Sequence, residues 1–329
     1  MTIGRSGIVA VFLGVAALGF GGCATALPPA GEAAAVAPAA FAIDQDFADP
    51  DVLLVDGTYY AYATNSLVNN VQFATSADLV SWEVQDSDAL PELPDWADSG
   101  KTWAPDVSAG PAGTFLLYFT AADRASGRQC IGVATATSPV GPFAAAAAPV
   151  ICPVAEGGAI DASSYLDTDG SRWLLWKNDG NCCDLDTWLQ LSPLTADGLT
   201  VAGDPTRLIK QTQEWEGAVV EAPVLTRADG QYVLFYSANN YGDDSYAMGY
   251  ATAKTLQGPY TSSADPLFST ESSGSRYLGP GGQDIVTGPG STTPDHMVLH
   301  SWDPAYVYRG MSVVELDWVD GRPVVRPAD

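Results

Sequence analysis

A turn glycine followed by an apolar or aromatic run recurs five times along this chain, at Gly57, Gly113, Gly170, Gly230 and Gly290. By subtraction the steps are 56, 57, 60 and 60 residues. Seven to nine residues ahead of each glycine a new strand is expected to open on a polar residue: Asp49, Asp106, Asp161, Glu221 and Gln283. A period near 60 is too long for a helical solenoid unit, commonly about 33–47 residues. It fits one four-stranded propeller blade with its loops. The runs between turns are short, alternating and aromatic-rich, and none reads as an amphipathic helix. Asp-Gly between apolar runs is a strong hairpin signal, and it recurs at Asp56-Gly57, Asp169-Gly170 and Asp229-Gly230. The expected fold is all-β: a five-bladed β-propeller with four-stranded antiparallel blades.

Of the 329 residues the first 40 or so do not read as fold, and the remaining 285–290 exceed the usual size of a single core. A propeller escapes that limit because each blade packs only on its neighbours. With 39 Asp+Glu against 14 Lys+Arg the net charge is −25. That balance disfavours nucleic acid and anionic membrane surfaces, which call for basic patches. It suits a neutral or cationic ligand, and a monomer is expected.

The N-terminus reads as an export signal. Arg5 precedes the apolar stretch Ile8–Phe20, which is too short to span a bilayer. Phe20-Gly21-Gly22-Cys23 resembles a lipobox, with Cys23 lipidated, and Ala24-Thr25-Ala26 resembles an ordinary cleavage site. The lipoprotein reading is preferred: residues 1–23 as signal, 24–42 as an Ala/Pro-rich tether, 43–329 as the propeller. The location is then the outer face of the cell membrane, or the medium. Any membrane contact runs through the anchor at Cys23. Four further cysteines, Cys130, Cys152, Cys182 and Cys183, suggest disulfides in an exported protein. A vicinal Cys182–Cys183 bond with Cys130–Cys152 is one pairing; crossed pairing and free buried thiols are the others. No C-x-x-C spacing points to zinc.

In a propeller the innermost strands line a central funnel, and their starts converge at one mouth. Asp49, Asp161 and Glu221 are three carboxylates at such starts. Taken singly, an Asp at a strand start is more often a turn residue capping its own backbone. Glu221 stands between Val219-Val220 and Pro223-Val224-Leu225, where an unpaired charge is costly. Converging carboxylates must separate their proton affinities, so one can hold a proton while another stays charged. Glycoside hydrolysis needs that division. Trp103 either stacks on a sugar ring or packs in the core. Arg309 and Arg276 lie near blade-five strand ends, where either could bond a sugar hydroxyl or form a surface ion pair. His300 either reaches the funnel or is a core residue. Trp103, Arg309, Gln283 and His300 form the candidate substrate-binding set. The Asn178–Cys183 loop is expected to rim the pocket. Asp106, beside Pro105, reads as a turn residue.

The segments Ala48-Asp49-Pro50-Asp51-Val52, Trp103-Ala104-Pro105-Asp106-Val107, Ile160-Asp161 and Glu221-Ala222-Pro223, in this order, resemble glycoside hydrolase family 43. Lys177-Asn178-Asp179-Gly180-Asn181 is similar to a segment found there. The likeness covers about residues 43–327. It implies a five-bladed propeller and inverting cleavage of α-L-arabinofuranosidic or β-xylosidic linkages in a plant or cell-wall polysaccharide. It further implies Asp49 as general base, Asp161 as the residue that tunes and orients the acid, and Glu221 as general acid. Many members place a histidine at the blade-five strand start near a central metal ion. Here that stretch reads Gly279-Pro280-Gly281-Gly282-Gln283-Asp284. No cofactor is expected, and a central calcium is not assigned. One rival is a retaining fructosidase, whose Asn-Asp-Pro-Asn and Arg-Asp-Pro segments are missing here. The other is a non-catalytic carbohydrate-binding propeller, which would need no acid/base trio.

Overall fold

The computed structural model describes residues 37–287 and 295–327. The expected export signal, Cys23, the first part of the tether and Gly290 lie outside the described residues. Among the described residues, no helix is long and apolar enough to cross a membrane.

Five antiparallel sheets follow one another along the chain as the blades of a propeller. Their inner strands are Asp51–Val55, Trp103–Ala109, Ala159–Leu166, Val220–Ala228 and Leu278–Val286. Each blade then steps outward through consecutive hairpins. The second strands explain why the blades pack. Phe115–Ala122, Arg172–Asn178 and Gln231–Ala238 carry near-continuous apolar runs, because both faces of a blade are covered. Alternation sends Leu116 and Tyr118 toward blade three and Leu117 and Phe119 toward blade one. In blade four Leu234 and Tyr236 face blade three, while Val233 and Phe235 face blade five. The five core clusters are thus the five interfaces between blades. Each fully buried Leu or Phe adds about 1.5–3 kcal/mol to one of them.

Among the described residues, the last blade closes on the first without a shared sheet strand. Ile43 bridges to Met311 of blade five, and its side chain joins Val52, Val298 and Met311 in the core between blades five and one. The Ala39 amide donates to the Arg276 carbonyl and the Ala42 amide to that of Met311. The end of the expected tether, residues 39–42, is therefore docked on the propeller rather than free.

A second closure runs round the axis. The Val107 amide donates to Asp51, the Ser164 amide to Asp106, the Ala222 amide to Asp161 and the Val52 amide to Asp284, each at 2.9 Å. Gln283 completes the circle by donating from Nε2 to the Ala222 carbonyl at 2.7 Å. Every blade is tied to the next by an inner-strand side chain gripping the neighbour's backbone. Asp284→Ala would leave the Val52 amide without its acceptor, at a cost of about 1–3 kcal/mol. Asp284→Asn keeps an acceptor oxygen. Urea unfolding at pH 5 should show the alanine variant clearly weakened and the asparagine variant much less so.

Candidate active site

Each inner strand enters the funnel through a residue with left-handed φ: Asp49 (53°), Ala104 (40°), Asp161 (55°), Ala222 (49°) and Gly282 (55°). The strand ladders slip beside these points, between Trp103 and Asp106, Glu221 and Val224, and Gly281 and Asp284. In blade three the slip falls between Ile160 and Ser163. Such bulges re-aim a side chain. Asp tolerates the left-handed region better than most residues; Ala104 and Ala222 hold it at a cost of order 1–3 kcal/mol.

The kinks correct the expected phase of the repeat. Asp49 and Asp161 sit on the kink itself, and Glu221 sits one residue before it, level with Trp103 and Ile160. Gln283 lies one residue past the kink and Asp106 two past, so both fall in the axial channel beneath the site. That channel is lined by the three-residue steps Asp49–Asp51, Ala104–Asp106, Asp161–Ser163, Ala222–Val224 and Gly282–Asp284.

At the mouth, Asp49, Asp161 and Glu221 line one cavity of about 380 Å³. Its other walls include Thr64, Trp103, Lys177, Asp179, Tyr241, Tyr246 and Arg309. Thr64 Oγ1 donates to Asp49 Oδ2 at 2.7 Å. Arg309 Nη1 lies 3.7 Å and His300 Nδ1 3.2 Å from Asp49 Oδ1. Burial alone would raise the Asp49 carboxyl; Arg309 first, then His300 and Thr64, outweigh it and hold Asp49 well below the usual carboxylate range. Asp49 is therefore a fixed anion with one face to the cavity.

Asp161 has the opposite character. Burial, then the nearby Glu221 charge, push it up to about 7, against the pull of Lys177 and the Ala222 amide. It accepts the amide of the residue next to Glu221, so it also fixes where that side chain stands. Glu221 accepts from Lys177 Nζ at 3.0 Å and from the Tyr246 hydroxyl at 2.8 Å. Lys177 is fully buried. Burial would lower its proton affinity, but Glu221 and Asp161 more than offset this and raise it, so it stays charged. Tyr246 also stacks on His300, with ring centroids 5.9 Å apart. It thereby joins the Glu221 side of the cavity to the Asp49 side. A Cβ on Gly281 would meet Tyr246 Cε1 at 2.0 Å, so only glycine permits this approach.

Of the candidate substrate-binding set, Trp103 and Arg309 line the cavity. Gln283 and His300 do not. Gln283 is buried and spends both ends of its amide, on Ser237 and the Ala222 carbonyl. His300 is fully buried behind Asp49, with its Nε2 3.5 Å from Arg309 Nη1. Both are corrected from sugar contacts to supports of the residues that face the cavity. Arg276 lines a separate depression with Phe41 and Tyr308. Cys130–Cys152 and Cys182–Cys183 are the disulfides formed, so the vicinal pairing holds. The one metal-like grouping among the described residues, Asp123 with Cys130 and Cys152, uses two of these bonded sulfurs.

Lys177, Tyr246, Thr64 and Tyr241 had no assigned part in the sequence reading. Lys177 had a visible signal: a lone cation ending the apolar run Trp173–Trp176, the complement of a lone anion in the next blade's inner strand. Removing Arg309 should free Asp49 to take up protons. Arg309→Ala is expected to move the acid limb of the pH–rate profile upward by about one pH unit or more, with Arg309→Lys in between; an unmoved limb would show that Asp49 does not set it.

A family model described as Glycosyl hydrolases family 43 matches residues 42–323. The chain is 27% identical over 312 residues to extracellular endo-α-(1→5)-L-arabinanase 1 of Bacillus subtilis (strain 168), covering 88% of this chain and 91% of that protein. It is 27% identical over 233 residues to the β-D-galactofuranosidase xynD of Aspergillus niger, covering 66% of this chain and 63% of that one. The crystal structure of a thermostable family-43 glycoside hydrolase matches with a TM-score of 0.76 at 28% identity, covering 86% of this chain and 94% of the other.

Proposed function

Because this chain belongs to glycosyl hydrolases family 43, we propose that it cleaves α-L-arabinofuranosidic linkages in a polysaccharide with inversion at the anomeric carbon. The observation that carries this reading is the division of labour among three carboxyls on one cavity. Asp49 is held as an anion by Arg309, Asp161 is drawn toward protonation near neutral pH, and Glu221 is positioned between Lys177 and Tyr246.

Asp49 draws a proton from a water on one face of the sugar ring. Glu221 gives a proton to the departing glycosidic oxygen on the other. Asp161 holds Glu221 in place through the Ala222 amide and couples to it through charge. Acid, base and water complete the step, so no cofactor is invoked. An arabinofuranoside is preferred on the likeness to the arabinanase over most of both chains. A β-xyloside ranks second, and the Aspergillus niger relative's name adds a galactofuranoside to the test.

A panel of nitrophenyl α-L-arabinofuranoside, β-D-xyloside and β-D-galactofuranoside, with arabinan alongside, tests the substrate. The anomer of the first product tests the stereochemistry. Fastest turnover of arabinan or the arabinofuranoside, with an inverted product, is expected. A retained anomer would return the reading to a fructosidase-type mechanism; binding without turnover would make the propeller a carbohydrate-binding module. Export as a lipoprotein is proposed with it. Cys23→Ala should release the protein from the membrane fraction, and an unchanged distribution would refute the anchor.

A further inference from the structure

The vicinal disulfide Cys182–Cys183 does not do what disulfides ordinarily do. Bonding distant residues restricts the unfolded chain, and the effect grows with the length of the loop closed. Cys130–Cys152 spans 22 residues; Cys182–Cys183 spans one, and so restrains almost no chain. Neither of its sulfurs belongs to a core cluster between blades. Cys182 is exposed and Cys183 half-buried.

Its position is more telling. The pair ends a one-turn 3-10 helix, Gly180–Cys183, directly after the strand that carries Lys177 to Glu221. Two neighbours in the same loop, Asp179 and Asn181, line the catalytic cavity. The loop is fastened at both feet. The Asp179 amide donates to the Gly158 carbonyl at 3.0 Å, and Asn178 Nδ2 donates to the carbonyls of Glu156 and Asp186 at 3.1 and 2.9 Å. The Trp188 amide returns to Asn178 Oδ1 at 2.7 Å. A Cβ on Gly180 would meet the Asp186 carbonyl at 2.4 Å, so the turn is drawn tight. Arg128 supports the sulfurs themselves, with Nη1 2.8 Å from Cys183 Sγ and 3.3 Å from Cys182 Sγ. A soft, polarizable group is thus held directly after the cavity-lining Asn181, with Leu185 exposed in the same loop. A sugar ring presents C–H faces that such a surface fits, as it would fit an aromatic ring.

We propose that Cys182–Cys183 is the blade-three wall of the substrate groove, carrying a sugar of a neutral oligosaccharide chain beyond the linkage that is cut. The inference rests on the polysaccharide reading above and specifies where the chain runs. It makes the disulfide a determinant of chain-length preference, distinct from the three carboxyls.

The test uses the Glu221→Gln protein, so that bound chains persist, titrated calorimetrically with arabinose and with arabino-oligosaccharides of two to five units. Adding Cys182→Ser and Cys183→Ser should weaken the five-unit chain about five- to twentyfold and arabinose less than twofold. Equal affinities with and without the disulfide overturn the inference. Failure of Glu221→Gln to bind any of the series overturns instead the substrate reading beneath it. A crystal structure of Glu221→Gln with the five-unit chain keeps the disulfide, and so decides the matter even if the serine variant does not fold. Sugar carbons within about 4 Å of either Sγ support the wall; a chain leaving over another blade removes it.

Discussion

Glu221→Gln is expected to lower kcat/KM on arabinan by about 10²–10⁴-fold, the range for losing a positioned general acid. The fold should survive. Glutamine keeps an oxygen for Lys177 or Tyr246, and Lys177 retains Asp179 at 4.0 Å and the nearby Asp161 charge. No buried cation is stranded. What glutamine lacks is a proton to give. The loss should therefore depend on the leaving group. Arabinan departs as a sugar alkoxide that must be protonated, whereas an activated nitrophenolate leaves with little help, so the nitrophenyl glycoside should lose about tenfold or less. Asp49→Asn should lose comparable activity on both substrates, because the attacking water needs its base whichever group leaves. Steady-state kinetics of the two variants on the two substrates, with circular dichroism as the control, form the measurement. Near-normal turnover of arabinan by Glu221→Gln would remove Glu221 from the chemistry. A leaving-group dependence in Asp49→Asn instead would exchange the two roles.

The blade repeat was legible because its signals are local. Asp-Gly hairpins and apolar second strands follow from turn geometry and from covering both faces of a blade. The convergence of Asp49, Asp161 and Glu221 was legible for the same reason, since any strand start in such a repeat points to the mouth. The layer each residue occupies was not. It depends on the left-handed kinks, and two of those fall on alanine, where no sequence signal marks them. Counting from the turn glycine therefore placed Gln283 level with Asp49, although the kink at Gly282 sets it beneath the site. His300 was ambiguous because its role depends on Gly281 and Gly282 making room for the Tyr246 and His300 rings, a contact between different blades. Lys177 was the one visible signal left unused. A buried cation and a cavity-facing anion on adjacent blades neutralise each other, and the cation in isolation would have been too costly to keep.

Between pH 5 and pH 8 the melting temperature is expected to fall by about 5–10 °C, and the source is the acid cluster beneath the active site. Asp51, Asp106 and Asp284 stand on the axis within one narrow channel. Burial, followed by mutual repulsion with Asp106 and Asp284, raises Asp51 well above its ordinary value. Burial pushes Asp106 up to about 7 and Asp284 up to about 6, against the amides that each accepts. In the unfolded chain all three return to about 3.9. The folded state therefore binds more protons than the unfolded one through this window, and stability falls as pH rises. It is greatest below the unfolded value and is lost as the pH rises through the folded values, about 6 for Asp284 and about 7 for Asp106. Asp161, raised to about 7, acts in the same sense. Asp49, held low, has its window below pH 4 and adds nothing here. His300, lowered chiefly by burial and then by Arg309, opposes the trend as the pH rises toward about 6.5. Asp179, raised chiefly by burial, joins the other carboxyls, and the one histidine does not reverse the sign. A tenfold gain in proton affinity on folding is worth about 1.4 kcal/mol, but the three axial groups titrate as a set and their contributions do not add. A net change of a few kcal/mol at about 2–4 °C per kcal/mol gives the stated fall. The double variant Asp106→Asn/Asp284→Asn keeps both amide acceptors while removing two charges. Its melting temperature should exceed the parent's at pH 8 and its profile should flatten. A double variant that keeps the full slope would place the pH dependence elsewhere, in the general repulsion of a chain with a net charge of −25.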